Sequence, residues 1–174
     1  MTADRRYPEA SAGPFPTPPR TITDDAARTI TFQAVDWDRD REALVSFYTA
    51  FDPADRAQGV PPIDETAIRA WLHNIEAGYD VAARHDDEIV GHATLVPDDG
   101  DQYELAIFVA STYQNAGIGT ALLETLLGLG QAEGVEYVWL SVERWNHAAV
   151  AVYECVGFET TDAGNFELEM GIRL

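Results

Sequence analysis

The chain has 174 residues, of which 46% are hydrophobic, enough for one globular domain and too many for a disordered protein. Its charge is one-sided, with 30 Asp and Glu against 11 basic residues, all of them arginine, for a net charge of −19. This excludes the basic footprint of a nonspecific nucleic-acid binder; short apolar runs, a polar proline-rich start and the lone Cys155 argue against a membrane span, a secretory signal and an internal disulfide, so a soluble cytoplasmic protein is expected.

Residues 1–28 contain GPFPTPPR and no hydrophobic period, so they read as an extended or disordered proline-rich arm. A single domain is expected over 29–174. TITFQAV alternates and is β-branched, which predicts a strand. DRDREALVSFYTAF then sets Leu44, Phe47, Tyr48 and Phe51 at helical spacing. FDPADRAQGVPP reads as a loop or short helical turn. The second helix starts at an Asp64 cap and turns Ile68, Trp71, Leu72 and Ile75 to the core, ending at Gly78.

YDVAAR, EIVGHATLV and QYELAIFV follow as three strands with short acidic turns, which implies an antiparallel meander. Next come a glycine turn, a helix over about 118–133, the strand VEYVWLSV, the helix HAAVAVYECV ending at Gly157, and the strands FETTD and NFELEMGIRL. The order is β-α-α-β-β-β-α-β-α-β-β. Its strand-helix-strand centre requires a parallel crossover. The expected fold is α/β (α+β), a mixed sheet of about six or seven strands with helices on both faces.

The turn QNAGIG opens the third helix, and such turns hold phosphates. A Walker-type loop needs a lysine, which this chain lacks. A dinucleotide fingerprint needs a third glycine where Leu122 stands. A plain tight turn remains open. With its neighbours, however, the turn resembles the acetyl-CoA motif of the GNAT family of N-acetyltransferases, here Gln114-Asn115-Ala116-Gly117-Ile118-Gly119. That family's second signature is similar to Asn146, Tyr153 and Gly157-Phe158. The resemblance covers about residues 29–174.

The resemblance implies acetyl-CoA as cosubstrate, without a metal. The amides from Gln114 through Asn115, Ala116, Gly117, Ile118 and Gly119 to Thr120 would face its pyrophosphate, where a helix N-terminus is partly positive. Ile107, Phe108 and Val109 would bond the pantetheine arm. Asn146 would lie beside that arm, although it is also a natural helix cap. Tyr153 would protonate the departing thiolate, although an aromatic core residue is its other reading. The acceptor would be a small-molecule or peptide amine attacking the thioester directly in a ternary complex, and a homodimer is an option.

A base must deprotonate the amine. Glu104, in the central strand, is the first candidate, with an exposed strand carboxylate as its alternative. Glu143 shares a strand face with Ser141 and is the second. Ser141 stands where family members that acetylate ribosomal-protein termini carry a glutamate, a departure from that substrate class. His92 either faces the acceptor or is a hydrogen-bonded sheet histidine. Asp52, Asp55 and Arg56 lie where the family borders its acceptor. A non-catalytic CoA-binding module with the same fold and a nucleotide-binding protein are the alternatives.

The acidic, lysine-free composition is similar to that of proteins from salt-loving archaea, where a Debye length of about 3 Å at 1 M salt makes such charge tolerable. GC-rich codon usage is one other source of an Asp-, Ala- and Arg-rich chain, and an acidic cleft for a cationic substrate is a second, although a local cleft does not need 30 carboxylates.

Overall fold

The computed structural model describes residues 5–56 and 60–174. The strands are β1 (Arg20–Thr23), β2 (Thr29–Ala34), β3 (Tyr79–His85), β4 (Glu88–Pro97), β5 (Gln102–Val109), β6 (Tyr137–Glu143), β7 (Glu159–Ala163) and β8 (Glu167–Arg173). The helices are α1 (Trp37–Thr49), α2 (Glu65–Ile75), α3 (Ile118–Ala132) and α4 (His147–Val156). All the strands form one sheet in the order β1-β2-β3-β4-β5-β6-β8-β7. Among the described residues no helix is long and apolar enough to cross a membrane.

Local chemistry explains the helix starts. Asp36 caps α1 by accepting from the amides of Asp38 and Arg39, Asp64 caps α2 through the Ala67 amide, and Asn146 caps α4 through Ala149. Only α3 begins without a side-chain cap; its first residue follows Gly117 at φ +86°. The segment 57–59, part of the loop expected after α1, lies outside the described residues.

The sheet has eight strands, where the sequence predicts six or seven. The extra one is β1, which falls inside the segment expected as an arm. It pairs antiparallel with β2, from Arg20 opposite Phe32 to Thr23 opposite Thr29. The strand is four residues long, its β-branched run is only Thr21-Ile22-Thr23, and it directly follows the prolines, which mask it. Asp24 holds the connecting turn by accepting from the amides of Ala26 and Arg28 and from the Arg28 guanidinium. The residues before β1 run over the domain. The Ala12 amide donates to the Arg173 carbonyl, and the Phe15 amide to the Gln131 side chain. Close approach to α3 requires Gly128, where a Cβ would lie 1.9 Å from the Pro16 carbonyl oxygen.

Two cores flank the sheet. One is formed by α3, whose Ile118, Leu122, Leu123, Leu126 and Leu127 are buried, with α4 packed beside it. The other lies under α1 and α2, around Leu44, Phe47, Tyr48, Ile68 and Leu72, and it takes Phe108 from β5. A buried polar chain ties α1 to the sheet there. The Tyr48 hydroxyl and His92 Nδ1 are 2.5 Å apart, and His92 Nε2 is 2.7 Å from Asp80. His92 is fully buried, so of its two readings the structure has the hydrogen-bonded sheet histidine.

Among the described residues only β5 and β6 pair in parallel, and for three rungs: Gln102 with Tyr137, Tyr103 with Val138, Glu104 with Trp139. Beyond them each strand follows its other neighbour. β5 stays on β4 as far as Val109, and β6 stays on β8 as far as Glu143. The facing edges of 105–109 and 140–143 are left unpaired with each other, so the sheet opens into a V.

Candidate active site

The V holds a cleft of about 360 Å³. Period-two alternation splits its walls between the two faces of the sheet. Ile107, Val109, Val142, Ala149, Val152 and Tyr153 lie on the α3/α4 side, whereas Phe108, Ser141, Glu143 and Asp55 approach from the α1/α2 side. Gln114, Asn115, Gly117, Gly119, Thr120 and Asn146 close one end. Nearly all the residues singled out by the sequence for cofactor binding thus line one cleft. Ala116 and Ile118 are buried behind the turn, with only their backbone left to take part.

The turn offers donors without charge. Asn115 and Gly117 have φ of +58° and +86°, and this alternation turns successive amides inward. The first α3 amide to find a helical partner is that of Ala121, on the Gly117 carbonyl. The amides of Ile118, Gly119 and Thr120 precede it and have no intrahelical acceptor. A Cβ on Gly119 would meet only Val109 Cγ2, at 3.9 Å, so glycine keeps that wall of the cleft open. Gln114 is spent on structure: its side-chain amide donates to the Val109 carbonyl at 3.0 Å and closes the turn onto β5. Among the described residues no basic side chain lines the cleft. Only backbone amides and neutral side chains are offered to an anion here.

Asn146 is the cap of α4, since its side chain accepts from the Ala149 amide at 3.3 Å, and it also lines the cleft. Tyr153, two helical turns on, lies edge-on to Phe158 with its ring centre 5.7 Å away. Burial pushes its hydroxyl up to about 12, so it carries its proton across the working pH range. Ala149, Val152 and Tyr153 share one helical stripe; the i, i+3, i+4 spacing identifies the first two as cleft residues, which the motif alone does not.

The carboxylates divide. Glu143 lines the cleft and accepts from Trp145 Nε1 at 3.1 Å. Glu104 does not line it. It sits at the closing rung of the V, opposite Trp139, on the same face as Phe108. Desolvation raises its carboxyl above the ordinary range, Asp98 adds to this, and Arg5 opposes it. Ser141 donates to Glu167 at 3.0 Å. Asp52 is used as a cap for the short turn Pro53–Asp55, and Arg56 donates to the Pro61 carbonyl at 2.6 Å. Asp55 does reach the cleft, and its Oδ2 is buried there without a hydrogen-bond partner.

Comparison with known proteins agrees with this geometry. Residues 34–158 match the model of the acetyltransferase (GNAT) family. The chain is 38% identical over 108 residues to the mycothiol acetyltransferase of Nocardia farcinica, covering 62% of this chain and 34% of that protein. It is 40% identical over 73 residues to the ribosomal protein bS18-alanine N-acetyltransferase of Escherichia coli, covering 41% of this chain and 48% of that one. The chain therefore spans about a third to a half of the length of these relatives. Among solved structures, the GNAT domain of S. lividans PAT superposes with a TM-score of 0.75 at 18% identity, over 89% of this chain and 96% of that one. YncA of Salmonella typhimurium, a putative acetyltransferase solved with its cofactor acetyl-CoA, gives 0.64 at 20%, over 83% and 94%. At these identities the structural likeness shows the fold.

Proposed function

The chain belongs to the GNAT acetyltransferase family, and on that premise we propose that it transfers the acetyl group of acetyl-CoA to a primary amine by direct attack in a ternary complex. The observation that carries this reading is the cleft, which runs from the uncapped glycine turn through the open V to Tyr153. Pyrophosphate fits the amides of Asn115 to Thr120, and pantetheine fits the edge of Ile107, Phe108 and Val109 that is unpaired with β6, as an added strand. When bound, acetyl-CoA supplies the activated acyl group. On the far side of the V, a neutral amine nitrogen attacks the thioester carbon and the carbon–sulfur bond breaks. Tyr153 gives its proton to the departing sulfur. Glu104, through water, takes the proton that the amine must lose, and desolvation, which raises its carboxyl above the ordinary range, makes it a more basic carboxylate for this. Glu143, on the cleft wall, orients the incoming ammonium.

The acceptor class is a small-molecule or peptide amine, and the protein works in the cytoplasm. The composition supports a salt-adapted surface; the relatives named above are bacterial. In concentrated salt, backbone recognition of an anion loses less than a lysine or arginine contact would.

Release of free thiol from acetyl-CoA across an amine panel, in dilute and in molar salt, tests the reading. Intersecting initial-rate patterns are expected, because no covalent acetyl-enzyme forms. CoA binding by calorimetry with no amine-dependent thiol release would leave a CoA-binding module instead, and absence of CoA binding would overturn both.

A further inference from the structure

Beneath the V, on the α1/α2 face of the sheet, a cation is already seated. It is the chain's own Arg5. Its guanidinium carbon lies 3.5 Å over the centre of the Trp139 ring. Its Nη1 donates to Asp98 at 2.9 Å and its Nε to Glu169 at 3.3 Å. Glu104 stands beside Trp139 in register and feels the Arg5 charge. Tyr7 also faces this group. An aromatic floor with three carboxylates around it matches a guanidinium or an alkylammonium.

Two facts distinguish this box from a structural clamp. The arm is held without Arg5: the Tyr7 hydroxyl donates to Gln102 at 2.6 Å, its ring packs 4.8 Å from that of Tyr137, and the Ala12 amide bonds Arg173. Arg5 lies beyond the first of these anchors and can leave while the arm stays. The box also points at the reaction. Trp139 and the cleft residue Ser141 are two positions apart on one face of β6, about 7 Å along the strand.

We propose that this box is a distal subsite for the acceptor, selecting amines that carry a second positive charge, and that Arg5 is its internal occupant, displaced by acceptors of that class. The inference rests on the acetyl-transfer reading for its role, but not for its test. The Arg5 side chain is 15% exposed, whereas its partners Asp98 and Glu169 are 31% and 28% exposed, so the carboxylates are open to a competing cation from solvent.

Agmatine, which has a primary amine and a guanidinium, is titrated without CoA into the wild type and into Arg5→Ala, with tryptophan emission and calorimetry as readouts. The variant should bind agmatine about 10-fold more tightly. Arg5→Lys should behave like the wild type, and Trp139→Leu added to Arg5→Ala, which removes the aromatic face, should abolish the gain. Equal binding by the wild type and Arg5→Ala, or a gain that survives Trp139→Leu, overturns the subsite. In turnover assays Arg5→Ala should lower the KM for agmatine more than that for butylamine. If no amine releases thiol from acetyl-CoA, acetyl transfer fails, while the agmatine titration still decides whether the subsite exists.

Discussion

The two sides of the cleft are made in different ways. The α3/α4 side, proposed above to take the cofactor, is backbone: a turn of alternating φ, an uncapped helix start and an unpaired strand edge, all within residues 105–121 and joined by α4. The α1/α2 side, proposed to take the acceptor, is side chains: Asp55 from the turn after α1, Phe108 from β5, and Ser141 and Glu143 from β6, with Arg5 of the arm outside the cleft on Trp139. A site built from backbone resists both salt and sequence change. A site built from distant side chains can be retuned one residue at a time, so specificity is expected to reside there.

Substitutions that damage one side and spare the other probe this division. The largest effect is expected from Tyr153→Phe, which removes the acid. Turnover should fall by about 100- to 10,000-fold, while calorimetry shows CoA affinity unchanged; an unaltered rate would remove Tyr153 from the mechanism. Gly119→Leu should fill the cofactor wall. Loss of two charge-assisted amide bonds corresponds to about 100-fold weaker CoA binding, with a near-normal melting temperature because a Cβ has room there.

Glu104→Gln tests the acceptor side, with an expected loss of about 100-fold. Its raised carboxyl pKa fixes the sign of the pH dependence. The protonated form is inactive as a base, so kcat/KM should climb as pH rises through a pKa above the ordinary carboxylate range. The glutamine variant should lose that limb. If Glu143→Gln removes it instead, the base is on the cleft wall. The smallest effect is expected from Tyr48→Phe, which leaves His92 Nδ1 buried without its partner. Unfolding by denaturant should show about 1–3 kcal/mol of lost stability and no change in CoA affinity.

Most of the fold is legible in the sequence because its signals are local. Asp64 and Asn146 are caps at the ends of clear apolar periods, and the structure uses both as caps. β1 is the exception. A run of four residues beside prolines carries too little pattern, and only pairing with β2 makes it a strand. Within the site, the glycine turn and Tyr153 are legible for the same local reason. Glu104 is legible as a central-strand carboxylate, but its place at the closing rung, under Arg5, is not.

The sequence by itself determined where each helix and most strands begin and end, and that α3 would open on a glycine turn. Those properties depend on φ, capping and periodicity over a few residues. Tertiary structure alone decided that β5 and β6 part after three rungs, since each strand finds its hydrogen bonds on its outer neighbour. It also decided that Arg5 comes to rest on Trp139 between Asp98 and Glu169, partners 93 and 164 residues away along the chain. No local pattern encodes contacts of that span, because they form only once the sheet has brought the segments together.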